Sequence, residues 1–492
     1  MTVREDDAVT HPAAEAVALS AADGIDPERL AICLAVFREL DDLPVDHPHA
    51  ELIRRATGRL FKTVKTRRRK DRQAAVSAAD AAVTAATATG APGRIDDETQ
   101  GLALSSATAG PSAGTLHRAR ACYICKDRYV DVDAFYHQLC PACAALNHSR
   151  RDARTDLTGR RALLTGGRAK IGMYIALRLL RDGAHTTITT RFPTDAVRRF
   201  AAMPDSARWL HRLRIVGIDL RDPAQVLALA DSVAAQGPLD ILINNAAQTV
   251  RRTPGSYAQL IAAESAALPA GPLPEVVDLG HGPAALTGTA TDKHSFDAHN
   301  LTALALTSGS ASLDRVADGT AIDAGGLVPD LDAVNSWTRR VDEVDPLELL
   351  EVQLCNVTAP FILISRLRPS MAAAAARRKY VVNVSAMEGQ FARRYKGPGH
   401  PHTNMAKAAL NMLTRTSAQE MLSDGILMTS VDTGWITDER PHPTKARLAD
   451  EGFHAPLDLV DGAARVYDPI VRGELGEDLY DCFLKDYKRH PW

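Results

Sequence analysis

Apolar positions divide the chain into stretches of different kinds. DPERLAICLAVFRELDDL, from residue 26, places apolar groups at helical spacing behind Asp26, a residue type whose side chain caps helix N-termini. HAELIRRATGRLFKTVKTRRRKDR continues with the same period, so a helix pair is expected within an N-terminal arm over 1–75. Residues 76–115 are rich in Ala, Thr, Gly and Ser and hold few large apolar groups; they read as a low-complexity linker, helical at most at its start. From residue 159, short apolar runs alternate with amphipathic stretches, the signature of strands and helices in βα succession. The predicted class is α/β: a doubly wound, parallel-sheet Rossmann domain over 155–492, interrupted by an insertion at about 251–345. The helical arm and a small separate module over 116–150 precede it.

Composition narrows the function classes. Hydrophobic residues make up 45% and charged residues 24%, and 58 Lys+Arg against 60 Asp+Glu leave a net charge of −2, which excludes a bulk nucleic-acid binder. No run reaches the roughly 18 consecutive apolar residues of a membrane span. The N-terminus lacks a basic stretch followed by an apolar one, so a cytoplasmic location without membrane association is expected. The basic cluster Lys62, Lys65, Arg67, Arg68, Arg69, Lys70 and Arg72 has no interleaved aromatic residue for base stacking and reads as a solvated helix face ahead of a phosphate- or acid-binding patch. Cys33, Cys355 and Cys482 are isolated and read as buried packing residues.

The other four cysteines are paired. Cys122-Tyr-Ile-Cys125 and Cys140-Pro-Ala-Cys143 stand 14 residues apart, a spacing at which two knuckles can surround one tetrahedral zinc ion. Four thiolates leave no position for water, so the implied zinc is structural. His137 and His148 lie close enough to replace one cysteine, though neither is needed. The segment resembles zinc-ribbon and treble-clef modules, a likeness that does not say what it contacts.

In the stretch from residue 159, a strand, a Gly-rich turn and a helix follow in order, with Thr165, Gly166, Gly167, Lys170, Ile171 and Gly172 in the turn. Such a turn aims backbone N–H groups and the positive helix end at a pyrophosphate. Later strand ends carry Arg191, then Asp219 with Leu220, then Asn244, Asn245 and Ala246. Arg191 stands where an NAD-specific protein presents an acidic group to the ribose 2′-hydroxyl, which favours NADP over NAD. Lys170 either adds a second positive charge near the 2′-phosphate or points to solvent.

Taken together, these motifs resemble the short-chain dehydrogenase/reductase superfamily. Its Thr-Gly-x-x-x-Gly-x-Gly signature matches Thr165 to Gly172, with Lys170 at the middle glycine, and its Asn-Asn-Ala-Gly motif matches 244–247. The resemblance continues through Asn356-Val-Thr-Ala-Pro-Phe, Val381-Val-Asn-Val-Ser385, Met405-Ala-Lys407 and Val431-Asp-Thr433-Gly434-Trp-Ile-Thr. It implies that Asp219 lies at the adenine, that Thr433 and Gly434 touch the cofactor, and that Lys407 holds the nicotinamide ribose beside the structural Asn356.

The family's acid and oxyanion-binding residues do not align. Thr403 stands at the Tyr four residues before Lys407, and Ala386 stands at the Ser. An aliphatic hydroxyl is far harder to ionise than a phenol, whose reference pKa is about 10, so Thr403 does not inherit the proton-donor role. Ser385, Tyr395, His400 and His402 are the substitutes within reach, although strand alternation aims Ser385 at the opposite face. The expected function is an NADP-dependent oxidoreductase with an atypical active site and an undefined carbonyl or alcohol substrate. The alternative is a non-catalytic nucleotide-sensing or scaffold protein that presents the zinc module or the insertion to a protein partner. A homo-oligomer is compatible with either. The insertion leaves the carboxyl end of a strand, where it can serve as a lid or a partner surface.

Overall fold

A computed structural model describes residues 24–92, 94, 104, 106–280, 315, 318, 321–392 and 396–492. The chain divides into two compact units, 1–77 and 78–492. In the first, helix α1 (Pro27–Glu39) starts where Asp26 accepts hydrogen bonds from the amides of Glu28 and Arg29, both at 3.0 Å, with Pro27 in the first turn. Helix α2 (Pro48–Ala85) runs ten residues past the expected end of the arm, because the Ala-rich stretch after residue 75 has high helix propensity. The basic cluster is exposed along α2. Cys33 is also exposed, against the expectation of a packing residue, whereas Cys482 is buried.

The second unit begins with a hairpin, β1 (Ser112–Ala121) and β2 (Arg128–Asp133), followed by α3 (Pro141–Arg151). The Rossmann region then adds β3 (Arg161–Leu164), α4 (Lys170–Arg181), β4 (His185–Thr190), α5 (Pro193–Ala201), β5 (Leu213–Gly217), α6 (Pro223–Ala235) and β6 (Ile241–Asn244). The insertion contributes α7 (Ala258–Glu264) and β7 (Glu275–Asp278), and α8 (Pro346–Gln353) and α9 (Ala359–Ala372) follow it. The chain closes with β8 (Lys379–Ser385), α10 (Pro401–Met421), β9 (Ile426–Asp432), α11 (His442–Asp450), α12 (Leu459–Glu474), β10 (Cys482–Lys485) and β11 (Lys488–His490).

Among the described residues, nine strands form one sheet in the order β11-β10-β9-β8-β6-β3-β4-β5-β7, parallel throughout except for β11. The order reverses beside β3, the switch point at which a doubly wound sheet opens a ligand crevice. The insertion's β7 pairs with β5 and becomes the edge strand. Strand alternation builds a core on each face. Ala162, Leu164, Ile241, Ile243, Tyr380 and Val382 pack under α4, α5 and α12, while Leu163, Leu242 and Val381 pack under α6, α9 and the end of α10. Each fully buried leucine of this kind contributes about 1.5–3 kcal/mol.

Residues Leu116, Tyr129, Val132, Tyr136, Leu139 and Ala144 of the cysteine module belong to the first of these cores. The module therefore shares the domain's hydrophobic interior. The run Pro346–Ala372 is long and apolar enough to cross a membrane by length and composition, and its inward residues Leu363, Leu367 and Met371 lie in the second core.

Candidate functional site: a groove at the switch point of the sheet and a cysteine cluster

The groove opens at the carboxyl ends of β3, β4 and β6. The Thr165 hydroxyl accepts the amides of Asn245 and Ala246, each at 3.0 Å, and the Asn245 side chain donates to the carbonyls of Thr165 and Gly166 at 3.0 and 3.1 Å. The two loops are thereby fixed to each other. A Cβ at Gly172 would lie 1.9 Å from the Gly166 oxygen, so only glycine lets α4 start this close to the turn. Lys170, at the family's middle glycine, has φ +52°, so the turn keeps the left-handed conformation at a cost of about 1–3 kcal/mol. Its ammonium lies 3.4 Å from Asp323 of the insertion. Lys170 lines the groove and ties the turn to the insertion.

Arg191 follows the last residue of β4. Its guanidinium lies 5.1 Å from the ring centre of Tyr257 and 3.3 Å from that residue's hydroxyl, and it makes no ion pair among the described residues. The neighbouring Arg168, Arg221 and Lys170 are each paired, with Asp195, Asp219 and Asp323 respectively. Burial opposes ionisation of Asp219, but hydrogen bonds from Arg221 hold its carboxyl below the ordinary range. Ile171, Leu220, Ala246 and Cys355 line the groove with Tyr257, Gly325 and Leu327 of the insertion. The described part of the insertion thus walls the Arg191 end. Its later residues meet the start of α10, where Trp337 stacks on His400 at 3.9 Å and the Arg339 carbonyl accepts the His400 amide at 3.0 Å.

The remaining sequence candidates separate into two groups. Asn356 sits in a π-helical turn, Leu354–Thr358, between α8 and α9. Its side chain accepts the Gln248 amide at 2.7 Å and donates to the Gln248 carbonyl at 3.0 Å, a structural role that ties the helix to the loop after β6. Lys407, on α10, is buried and donates to the Val384 carbonyl at 2.8 Å. Burial lowers its ammonium pKa to about 8, despite the opposing charges of Glu388, Cys355 and Asp432. Thr403 lies one turn earlier on the same face, and its hydroxyl donates to the His400 carbonyl at 2.9 Å.

Ser385 and His402 are not presented as free donors. The Ser385 hydroxyl donates to Asn411 at 2.6 Å, as strand alternation anticipates. His402 is buried against α8, its Nε2 3.8 Å from a Glu348 oxygen, and among the described residues neither ring nitrogen has a hydrogen-bond partner. Burial lowers its pKa, with Glu348 opposing. It stands five residues before Lys407 on α10. Tyr395 lies outside the described residues. Thr433 and Gly434 occupy the loop after β9, where the Gly434 amide donates to Asp432 at 2.7 Å.

The sequence reading did not single out Arg168, Arg221, Tyr257 or Glu439 as groove residues. Arg168 stands within the Gly-rich turn and was legible there. Tyr257 and Glu439 arrive from loops with no motif of their own.

Cys122, Cys125, Cys140 and Cys143 bring their sulfurs within 4.8 Å of one another. The Cys125 and Cys140 sulfurs are 3.7 Å apart, close to the roughly 3.8 Å edge of a tetrahedron with Zn–S bonds of about 2.3 Å. Lys126, at φ +69°, turns the first knuckle, and the Cys140 amide donates to the Cys122 sulfur at 3.3 Å. His137 is held by the Thr89 hydroxyl at 2.8 Å and His148 by Asp133 at 3.1 Å, so the donor set is the four thiols. These residues fit a tetrahedral metal such as zinc.

A sequence model described as short chain dehydrogenase matches residues 160–262. The chain is 31% identical over 367 residues to the uncharacterized protein R665 of Acanthamoeba polyphaga mimivirus, covering 71% of each. It is 42% identical over 94 residues to a probable oxidoreductase of Streptomyces antibioticus, 18% of this chain and 30% of that one. Among solved structures, a short chain dehydrogenase from Burkholderia cenocepacia J2315 in complex with NADP aligns at 20% identity and a TM-score of 0.42, over 67% of this chain and 97% of that one. With its strand order, its Gly-rich turn and its ordered motifs from Thr165 to Gly434, the chain belongs to the short-chain dehydrogenase/reductase superfamily.

Proposed function

We propose that the chain is an NADP-dependent oxidoreductase of atypical active site, acting on a carbonyl or alcohol, with a structural zinc ion on its four paired cysteines. The observation that carries the nucleotide reading is Arg191, a cation without an ion-pair partner among the described residues, at the end of β4 in the groove. Amides of the Gly-rich turn serve the pyrophosphate, Arg191 the 2′-phosphate, and Lys407 the nicotinamide ribose. The bound nucleotide supplies or accepts the hydride.

One observation favours a second reading, nucleotide sensing without turnover. The Thr403 hydroxyl is engaged by the His400 carbonyl, and Ala386 offers no hydroxyl at all, so the usual proton donor and oxyanion partner are both missing. In that reading the insertion or the hairpin β1–β2 meets a protein partner. The test is loss of reduced-nicotinamide absorbance with a broad panel of aldehydes and ketones, run beside direct NADPH binding. Turnover of any panel member supports the oxidoreductase. Tight NADPH binding with no turnover transfers support to the sensing protein.

A further inference from the structure

The cysteine module is joined, by a residue lying inside its first Cys-x-x-Cys pair, to the loop after β9 that leads to Glu439 of the groove. Tyr123 is flanked by Cys122 and Ile124, and its amide donates to the Gln138 carbonyl at 2.8 Å, which ties the two knuckles together. Its hydroxyl leaves the module and accepts the backbone amide of Trp435 at 2.9 Å. Gly434, at φ +78°, has no room for a side chain: a Cβ there would lie 2.7 Å from Leu457 and 3.7 Å from the Tyr123 oxygen. Asp432 completes the clamp, accepting the Gly434 amide and pairing with Lys485 at 3.1 Å.

A second line of contact runs in parallel. Tyr136 of the module donates to Asp461 at 2.6 Å, and Arg151 pairs with both Asp458 and Asp461, the residues of the capping box that opens α12. On that helix Gly462 lets Ile436 and Ile171 come close, at 2.9 and 3.4 Å from where its Cβ would stand. Ile171 lines the groove in the Gly-rich turn, and Ile436 follows Trp435. The module therefore braces segment 433–437 from two sides.

From this we infer that Tyr123 is a positioning residue: the metal-bound knuckle sets the backbone of 433–437 and, through it, the affinity of the groove for the nicotinamide half of the nucleotide. The inference rests on the nucleotide reading above and gives the cysteine module a role in it. Metal on Cys122 and Cys125 fixes the short turn that carries Tyr123, and Tyr123 fixes the turn at Gly434. Arg191 and Asp219 lie at the other end of the groove and do not depend on this clamp.

The experiment compares the full-length unmodified chain with Tyr123→Phe, which keeps the ring and removes the hydroxyl. Two probes are titrated: NADPH, which spans the groove, and adenosine 2′,5′-bisphosphate, which reaches only the adenosine end. Loss of one neutral hydrogen bond predicts two- to tenfold weaker NADPH binding, roughly, with the bisphosphate unchanged and the metal content intact. Backbone amide exchange in 433–437, measured without nucleotide, is expected to speed up in the variant. Unchanged NADPH affinity together with unchanged exchange overturns the inference, as does equal weakening of both probes, which would mark a general loss of fold. If the unmodified chain binds neither probe, the nucleotide reading fails, whereas the exchange result still decides whether Tyr123 holds the loop.

Discussion

Replacing Lys407 by methionine is expected to stabilise the chain and to impair nucleotide binding at the same time. The side chain is buried, and its ammonium pKa falls from 10.5 to about 8 because burial removes water from the charge. At about 1.4 kcal/mol per tenfold, holding the charged form in the folded chain at neutral pH costs about 3 kcal/mol. Methionine has a similar length and no charge, but it leaves the Val384 carbonyl without its donor, a loss of about 1 kcal/mol. The net expectation for Lys407→Met is a gain of about 2 kcal/mol at pH 7, read from denaturant unfolding without nucleotide.

The sign with pH follows from linkage. Between about 8 and 10.5 the unfolded chain binds more protons at this lysine than the folded one, so wild-type stability rises with pH across that window relative to the variant, and the gap closes by about pH 10. NADPH affinity moves the other way. It falls roughly ten- to hundredfold in the variant, the worth of a charge-assisted hydrogen bond, and in the wild type it declines once pH passes about 8, while the variant stays flat. A variant less stable than wild type at pH 7, or one with unaltered NADPH affinity, would refute the reasoning.

Other outcomes follow from the same geometry. Thr403→Val should leave NADPH affinity within about twofold, because the hydroxyl serves only the His400 carbonyl; calorimetric titration checks this. His402→Leu should raise stability by about 1–2 kcal/mol, since both ring nitrogens are buried without hydrogen-bond partners among the described residues. Because burial lowers the His402 pKa, the unfolded chain takes up the proton first on acidification, so wild-type stability falls as pH drops below 6.5 and that component disappears in the variant; unfolding curves at two acidic pH values read it. Elemental analysis should find one zinc per chain, and removing it with a strong chelator should lower the thermal midpoint, because the module shares a core with the sheet. A chain free of metal with an unchanged midpoint would dismiss the site.

Much of the Rossmann region was legible because its signals are local. The continuous apolar run of β3 and the Gly-rich turn that opens α4 are contiguous in the sequence, and the four cysteines announce their cluster by spacing alone. Asn356 was recognised by motif, but the π-helical turn that aims it at Gln248 leaves no pattern in the sequence. The left-handed Lys170 was visible only as a departure, and its partner Asp323 lies in an insertion without periodicity. The docking of the cysteine module was hidden for a physical reason. Its ties, such as Tyr136 to Asp461, join residues more than three hundred positions apart, and single polar residues at that separation carry no periodic signal. The same holds for β7, whose four residues read as loop until they pair with β5.

The role proposed for Arg191 is to make this groove selective for a nucleotide bearing a 2′-phosphate. Its most direct test is calorimetric titration of the unmodified chain and of Arg191→Ala with NADPH and NADH. The unmodified chain should bind one NADPH roughly ten- to hundredfold more tightly than NADH, as a charge-assisted contact predicts, and Arg191→Ala should bring the two affinities together by weakening NADPH alone. Equal affinities in the unmodified chain, tighter NADH, or a preference that survives Arg191→Ala would contradict it.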